Sequence, residues 1–333
     1  MPSAIVVHPE FEAHWSLAAD HARSIWQGQG ETEFVRLRAE DRRPVGEVLS
    51  APERVTRLLS MGVPVTEACL NRMPNLKEAA VTDVYGNLPA FEERGIKRIK
   101  HLSEGFWGQS VAECGLALTL CALRRIPQLH REIIADQTPW DYNPPGGVGS
   151  PGTRAHQYCD DPRFTSGAIE GKRVRVVGAG NIGARYAAFV HMLGADVAAW
   201  DPFAPETAFH RAGSRREHHL ERLVRDAEIF APMLPLTDST EGLVTADLID
   251  ALPKGCLVVL VTRANICDMK AVRRRVLADE LSLAADVFDV EPLALDDPLL
   301  GRHNVVHTPH IAGRTRHANE QWAEMLLAQF SPA

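Results

Sequence analysis

The sequence predicts an α/β protein of two domains, the larger one built on a doubly wound parallel sheet. Three observations carry that expectation. From residue 173 onward, short apolar runs alternate with helical patterns, as in strands covered on both faces by crossover helices. A glycine-rich turn, Gly178-Ala179-Gly180-Asn181-Ile182-Gly183, joins the first of those strands to the first of those helices. The 333 residues, 45% hydrophobic and 24% charged, provide apolar material for about two cores of ordinary size.

The elements follow in chain order. Residues 1–104 read as a small α/β unit, with Ile5-Val6-Val7 as a first strand and ERVTRLLS (53–60) as a helical pattern. Residues 111–130, VAECGLALTLCALRRIPQLH, are apolar on nearly every side and interrupted only by Gly115 and Pro127. They predict one long buried helix. Residues 135–170 contain PWDYNPPGGVGSPG, a long loop or arm of the kind that serves function or an interface. Beyond it, six strands are expected at 174–177, 197–200, 229–233, 257–261, 283–287 and 304–307, with helices at 181–193, 218–227, 246–251 and 268–278.

Composition narrows the function. The net charge is −7, which argues against a nucleic-acid partner. The one dense basic run, Arg273-Arg274-Arg275, falls in a helical pattern and reads as a solvated face. The N-terminal MPSAIVVHPEF has neither the basic nor the apolar region of a signal peptide, and the run 115–123 is far too short to span a membrane. Cys69, Cys114, Cys121, Cys159, Cys256 and Cys267 form no C-x-x-C pair. No metal is expected, and a reducing cytoplasm fits. Cys114 and Cys121 lie in the apolar helical run and read as small core residues.

A G-x-G-x-x-G turn alone is a weak signal. Here a strand precedes it, a helix follows it and Asp201 closes the second strand, which is the context of a dinucleotide site. Gly178 permits the tight turn, Gly180 clears the way for a pyrophosphate, and Gly183 lets the helix pack on the strand. Asn181 and Ile182 open a helix whose free N–H groups and positive dipole end suit phosphate. Asp201 is placed to accept hydrogen bonds from ribose hydroxyls and to repel a 2′-phosphate, so NAD is the expected cofactor. Arg211, Arg215 and Arg216 follow in the chain and leave NADP as the alternative.

Several stretches stand in a familiar order: VVGAGNIGARYAAFVHMLGADVAAWDP (176–202), PLTDST (235–240), VTRANICD (261–268), DVFDVEPL (286–293) and NVVHTPHIAG (304–313). The first half adds PNLKEAA (74–80), RGI (94–96), SVAE (110–113) and ALRRIP (122–127). Together they resemble the D-isomer-specific 2-hydroxyacid dehydrogenase family over most of the chain. The resemblance implies a Rossmann dinucleotide-binding domain (105–304) inserted into a smaller flavodoxin-like substrate domain (1–104 and 305–333), assembled as a homodimer. It implies further cofactor contacts at Pro235, Thr240, Thr262, Asp286 and Gly313, and catalytic roles for Arg263, Glu291 and His310.

Those three residue types suit the implied chemistry. Reducing a keto acid takes a hydride and a proton. An imidazole is a suitable proton donor near neutral pH, and a base in reverse. A carboxylate beside it, Glu291, fixes the ring. A guanidinium, Arg263, holds a carboxylate and polarises the adjacent carbonyl through its fork. It sits just past a strand, on the edge where ligands bind in open α/β sheets. Each residue alone has a plainer reading: a solvated histidine among 14, a salt-bridge arginine, a surface acid. It is their joint placement in three motifs that carries the assignment. Asp268 fits as an N-cap for the helix at 269–278. Asp286 is either an internal ion-pair partner or a group behind the site.

Two departures from the family pattern stand out. Ala264 follows the arginine where the family has glycine, and AVTDVYGNLP (80–89) keeps only Gly86-Asn87 of the turn that holds the substrate carboxylate. Backbone N–H groups of Val84, Tyr85, Gly86 and Asn87 are the expected substrate contacts. Tyr85, Phe106 and Trp107 are candidate pocket walls, and Trp140 is expected at an interdomain or subunit surface. The expected function is hydride transfer between NAD(H) and a small 2-hydroxy or 2-keto acid. The alternatives are a formate- or phosphite-type dehydrogenase on the same fold, or a NAD-sensing co-repressor-like binding protein. The Glu291–His310 pair favours proton transfer and so argues against formate.

Overall fold

Two all-parallel sheets organise the chain in the computed structural model, which describes residues 2–82, 89–100, 106–135, 140 and 160–332. The chain forms two compact units, Met1–Trp107 with Arg314–Ala333, and Gly108–Gly313.

In the first unit, β1 (Ser3–Val7), β2 (Thr32–Arg36), β3 (Arg57–Met61), β4 (Glu78–Val81) and β5 (Lys97–Ile99) lie in the order β2-β1-β3-β4-β5, all parallel. That is the flavodoxin-like order. The helices Ala18–Gln29 and Arg316–Leu327 supply Trp26 and Trp322 to a cluster with Ile5 and Leu59, while Leu58, Leu70 and Phe91 fill another cluster. The stretch 53–60 corrects its helical reading. It contributes a short 3₁₀ turn, Pro52–Arg54, and then enters β3, which is buried along its whole length. A strand covered on both faces loses the alternation that would have distinguished it from a helix.

In the second unit, β6 (Arg173–Val177), β7 (Asp196–Trp200), β8 (Arg215–Arg216), β9 (Ile229–Pro232), β10 (Leu257–Leu260), β11 (Ser282–Ala285) and β12 (Val305–His307) lie in the order β12-β11-β10-β9-β6-β7-β8. All the pairings are parallel. The strand order reverses between β6 and β9, which makes the sheet doubly wound. β8 is the strand the sequence did not announce. It is two residues long and both are arginines, a charged edge of the kind that discourages further pairing. The sequence-based boundary at 304 falls just before β12, which pairs with β11 and stays with this unit.

The predicted helix at 111–130 is two helices, Gly108–Arg124 and Ile126–Ala135. The break is at Arg125, whose φ is 51°. Pro127 lies in the first turn of the second helix, where its missing N–H costs nothing. The predicted helix at 218–227 is likewise a helix, Leu220–Leu223, followed by a 3₁₀ turn, Val224–Asp226. The Pro/Gly-rich part of the expected arm lies outside the described residues, except for Trp140, which is exposed. The helix Asn181–Met192 is seated against Gly108–Arg124 at Gly115, where a Cβ would come within 3.3 Å of both Tyr186 and Val261. The Tyr186 hydroxyl meets that of Thr119 at 2.9 Å. Among the described residues, no helix is long and apolar enough to cross a membrane.

Candidate active site at the carboxyl edge of the larger sheet

The register sets the site. Val177 is opposite both Pro232 and Trp200, and Leu260, Ala285 and His307 stand in line across β10, β11 and β12. The segments leaving these ends carry the residues singled out above: the glycine turn after β6, Asp201 after β7, Pro235 after β9, Thr262 and Arg263 after β10, Asp286 after β11, and His310 after β12. Neighbouring strands lie about 4.8 Å apart, so β10 and β12 leave the sheet about 10 Å from each other.

The glycine turn has the shape of a phosphate cradle. Gly178 has φ +100°, and a Cβ there would come 2.7 Å from a Leu234 methyl. A Cβ on Gly183 would come 2.1 Å from the Gly178 carbonyl oxygen. Around Gly180 nothing among the described residues lies within 4 Å of that position. Gly180 is also the N-cap of the helix Asn181–Met192, and having no side chain it leaves the capping position unfilled. Asp201 is tied to the turn, with Oδ2 accepting from the Ala179 N–H at 2.8 Å. Its Oδ1 accepts from the N–H groups of Phe203 and Ala204 at 2.9 and 3.0 Å. The residues present therefore fit a dinucleotide, with a glycine turn leading into a helix N-terminus for phosphate and an anchored carboxylate for ribose. On the next loop, the Thr240 hydroxyl donates to the Pro235 carbonyl at 2.6 Å and accepts from the Thr237 N–H at 2.8 Å. Ile182 and Gly313 are half-buried.

His310 and Glu291 are in contact, Nδ1 to Oε2 at 2.6 Å. A carboxylate only accepts, so Nδ1–H donates and Nε2 is left for another partner. Oε1 of Glu291 accepts from the Phe288 N–H at 2.8 Å, which aims the carboxylate. Each of the two side chains is 34% exposed, open enough to meet a ligand. Arg263 is exposed, and its Nη1 donates to the carbonyl of neighbouring Thr262 at 2.6 Å. Among the described residues no carboxylate forms an ion pair with it. Thr262 itself is buried and bonds the Pro232 carbonyl at 3.4 Å, linking the ends of β9 and β10.

His310 has φ +56°. Such a backbone costs a non-glycine residue roughly 1–2 kcal/mol, so something must hold it. Asp286 does so. Its side chain is fully buried. Oδ1 accepts from the Thr308 hydroxyl at 2.6 Å and the Ile311 N–H at 2.9 Å, and Oδ2 accepts from the Ala312 N–H at 2.8 Å. The ion-pair reading of Asp286 gives way, because all three donors are neutral. Its carboxylate holds the loop that carries His310. The Ser110 hydroxyl donates to the Ala312 carbonyl and adds a second brace. A lone Asp or Ser has no sequence pattern that announces such bracing. Their positions in DVFDVEPL and SVAE were the available signal.

Cys114 stands behind this loop. Burial first, and then the Asp286 carboxylate, push its thiol up to about 11, so it is a protonated packing residue near neutral pH. Asp268 is the N-cap expected of it, accepting from the Ala271 N–H at 2.9 Å. Among the described residues no cluster of His, Cys, Asp or Glu has the makings of a metal site.

The expected substrate contacts Val84, Tyr85, Gly86 and Asn87 lie outside the described residues. Phe106 corrects the pocket-wall reading. It is buried in the core of the first unit, edge-on to Trp15 at 5.3 Å. Trp107, edge-on to Phe106 at 4.6 Å, is 36% exposed and is the aromatic there with a face to offer.

Residues 116–312 match the family model described as the D-isomer specific 2-hydroxyacid dehydrogenase, NAD binding domain. A D-3-phosphoglycerate dehydrogenase of Archaeoglobus fulgidus is 30% identical over 210 residues, 63% of this chain and 36% of that protein. Against such phosphoglycerate dehydrogenases the chain spans 36% to 47% of their length. A glyoxylate/hydroxypyruvate reductase B of Yersinia enterocolitica is 25% identical over 92% of this chain and 88% of its own. Among solved structures, a D-lactate dehydrogenase of Treponema pallidum superposes with a TM-score of 0.71 at 18% identity, over 98% of this chain and 95% of that one. A D-isomer specific 2-hydroxyacid dehydrogenase of Xanthobacter autotrophicus, solved with NADPH and MES, does so with a TM-score of 0.60 at 27% identity, over 97% of this chain and 93% of that one.

Proposed function

The chain belongs to the D-isomer specific 2-hydroxyacid dehydrogenase family, and on that premise we propose that it is an NAD-dependent oxidoreductase acting on a small 2-hydroxy or 2-keto acid. The observation that carries this reading is the 2.6 Å contact between His310 and Glu291, on the strand edge that also carries Arg263 and the glycine cradle. When bound, the nicotinamide supplies the hydride for the keto carbon. The protonated His310 ring gives its Nε2 proton to the substrate oxygen and takes it back in the oxidative direction. Glu291 keeps Nδ1–H engaged, so that Nε2 alone faces the substrate. Arg263, with no ion-pair partner among the described residues, takes the substrate carboxylate in a two-pronged grip and draws charge from the adjacent carbonyl. Gly178, Gly180 and Gly183, with the helix start at Asn181 and Ile182, hold the phosphates. Asp201 takes the ribose, and Pro235, Thr240, Thr262 and Gly313 line the cofactor path.

The unit Gly108–Gly313 is then the cofactor domain and the other unit the substrate domain. In the latter, Val84, Tyr85, Gly86, Asn87 and Trp107 are the residues we assign to substrate binding. We assign a homodimer, whose contact would cover the exposed Ile133, Ile134 and Trp140, and a cytoplasmic setting, in keeping with the free cysteines.

The test is a panel of glyoxylate, pyruvate, hydroxypyruvate, phenylpyruvate and branched keto acids with NADH, followed at the nicotinamide absorbance. At least one acid should be reduced, and His310→Ala should lower its kcat by about 10³-fold with NADH affinity retained. Tight NADH binding without turnover on any acid, or full turnover in the variant, would overturn the assignment.

A further inference from the structure

The cofactor cradle has a cation beside its ribose acid that the proposed reaction does not use. β8 runs alongside β7 with Arg216 opposite Ala199. Arg216 thereby stands at the same end of the sheet as Asp201, which directly follows β7. Its Nη2 lies 3.5 Å from the Asp201 carbonyl oxygen, and its guanidinium covers the buried Phe209 ring at 5.0 Å. Its ion-pair partner is Glu206, at 3.3 Å. Arg216 is 24% exposed and Glu206 73%, so a well-seated guanidinium is held by an acid that stands mostly in solvent. The other two arginines of this segment are differently engaged. Arg211 bonds the Thr207 carbonyl of its own helix, and Arg215 pairs with Glu217.

We propose that Arg216 decides between NAD and NADP at this site, kept from a ribose 2′-phosphate by its pairing with Glu206 and by the anchored carboxylate of Asp201. The inference rests on the dinucleotide reading given above. A 2′-phosphate presents three acceptor oxygens and about −1.5 to −2 charges near neutral pH, which a guanidinium fork matches. Glu206 competes for the same N–H groups, and Asp201 repels the same charge. The chain therefore prefers NAD, and a single exposed acid accounts for part of that preference.

The test compares 5′-AMP with adenosine 2′,5′-bisphosphate, which differ only in the 2′-phosphate, by titration calorimetry on the full chain. Neither probe requires turnover. Glu206→Gln should tighten the bisphosphate about three- to tenfold and leave 5′-AMP unchanged, and the gain should vanish in Glu206→Gln/Arg216→Gln. A change equal for both probes, no change in Glu206→Gln, or a gain that survives in the double variant overturns the proposal while leaving the dinucleotide site intact. Failure of 5′-AMP to bind any of the three proteins overturns the dinucleotide reading and this proposal together.

Discussion

Arg175 and Arg263 belong to the same sheet and show how differently its two edges use charge. Arg175, in the middle of β6, is 1% exposed and reaches the amino edge. Its Nε and Nη2 donate to Asp226 at 2.8 and 2.6 Å, and Nη2 also meets Asp196 at 3.0 Å. Nη1 donates to the carbonyls of Val174 and Asp196. The full donor capacity of that guanidinium is spent inside the protein. Arg263, past the carboxyl end of β10, gives one bond to the carbonyl beside it, is exposed, and has no other hydrogen-bond or ion-pair partner among the described residues. A saturated cation holds strands in place, whereas an unsaturated one at a strand's carboxyl end is available to a ligand.

The contrast breaks if the two arginines behave alike on substitution. Arg263→Gln should lower kcat/KM by about 10³-fold, or about 4 kcal/mol of transition-state stabilisation, with the thermal midpoint unmoved. A large loss of stability in that variant would make Arg263 structural.

Arg175→Met should do the reverse, costing about 2–3 kcal/mol in urea unfolding with kcat/KM unchanged. The pH dependence should move with it. The hydrogen bond from Arg175 holds the Asp226 carboxyl below its ordinary value, against the opposing effect of burial. A folded-state pKa depressed in this way adds stability that is complete above the unfolded value, about 3.9, and is lost as the pH falls through the folded value. Arg175→Met should flatten that acid limb below about pH 4, and an unaltered limb would show that the pairing contributes nothing.

Asp286 sharpens the comparison, because it sits at the carboxyl edge yet, like Arg175, is buried and bonded to several partners inside the protein. Asp286→Asn puts an amide NH₂ where a carboxylate oxygen accepted a backbone N–H, setting donor against donor. It should cost about 1–2 kcal/mol of stability and lower kcat about tenfold with little change in KM. The effect on kcat would arise through the loop that carries His310. Loss of stability with kcat intact would make Asp286 a core residue only.

The carboxyl edge was more legible in the sequence than the elements behind it. The glycine turn and Asp201 announced themselves because glycines at that spacing, between an apolar run and a helical one, have few other uses. Arg263, Glu291 and His310 were singled out because each lies in a longer motif. β8 left no trace, since two arginines carry no strand signal. The stretch 53–60 misled because its apolar residues fit a helix as well as a buried strand. The break at Arg125 was hidden because nothing in an arginine marks it for a φ of 51°.

The sequence by itself determined the alternation of strands and helices, the glycine turn between strand and helix, and which residues were singled out as an acid–base pair, since these depend on local periodicity and on residue type at short spacing. Only the tertiary structure decided that Asp286 braces the His310 loop, that Glu291 and His310 meet at 2.6 Å, and that Arg216 stands beside Asp201. The contacts involved join residues on different segments of the chain, and the order in which the strands assemble into the sheet, which no local pattern encodes, brings them together.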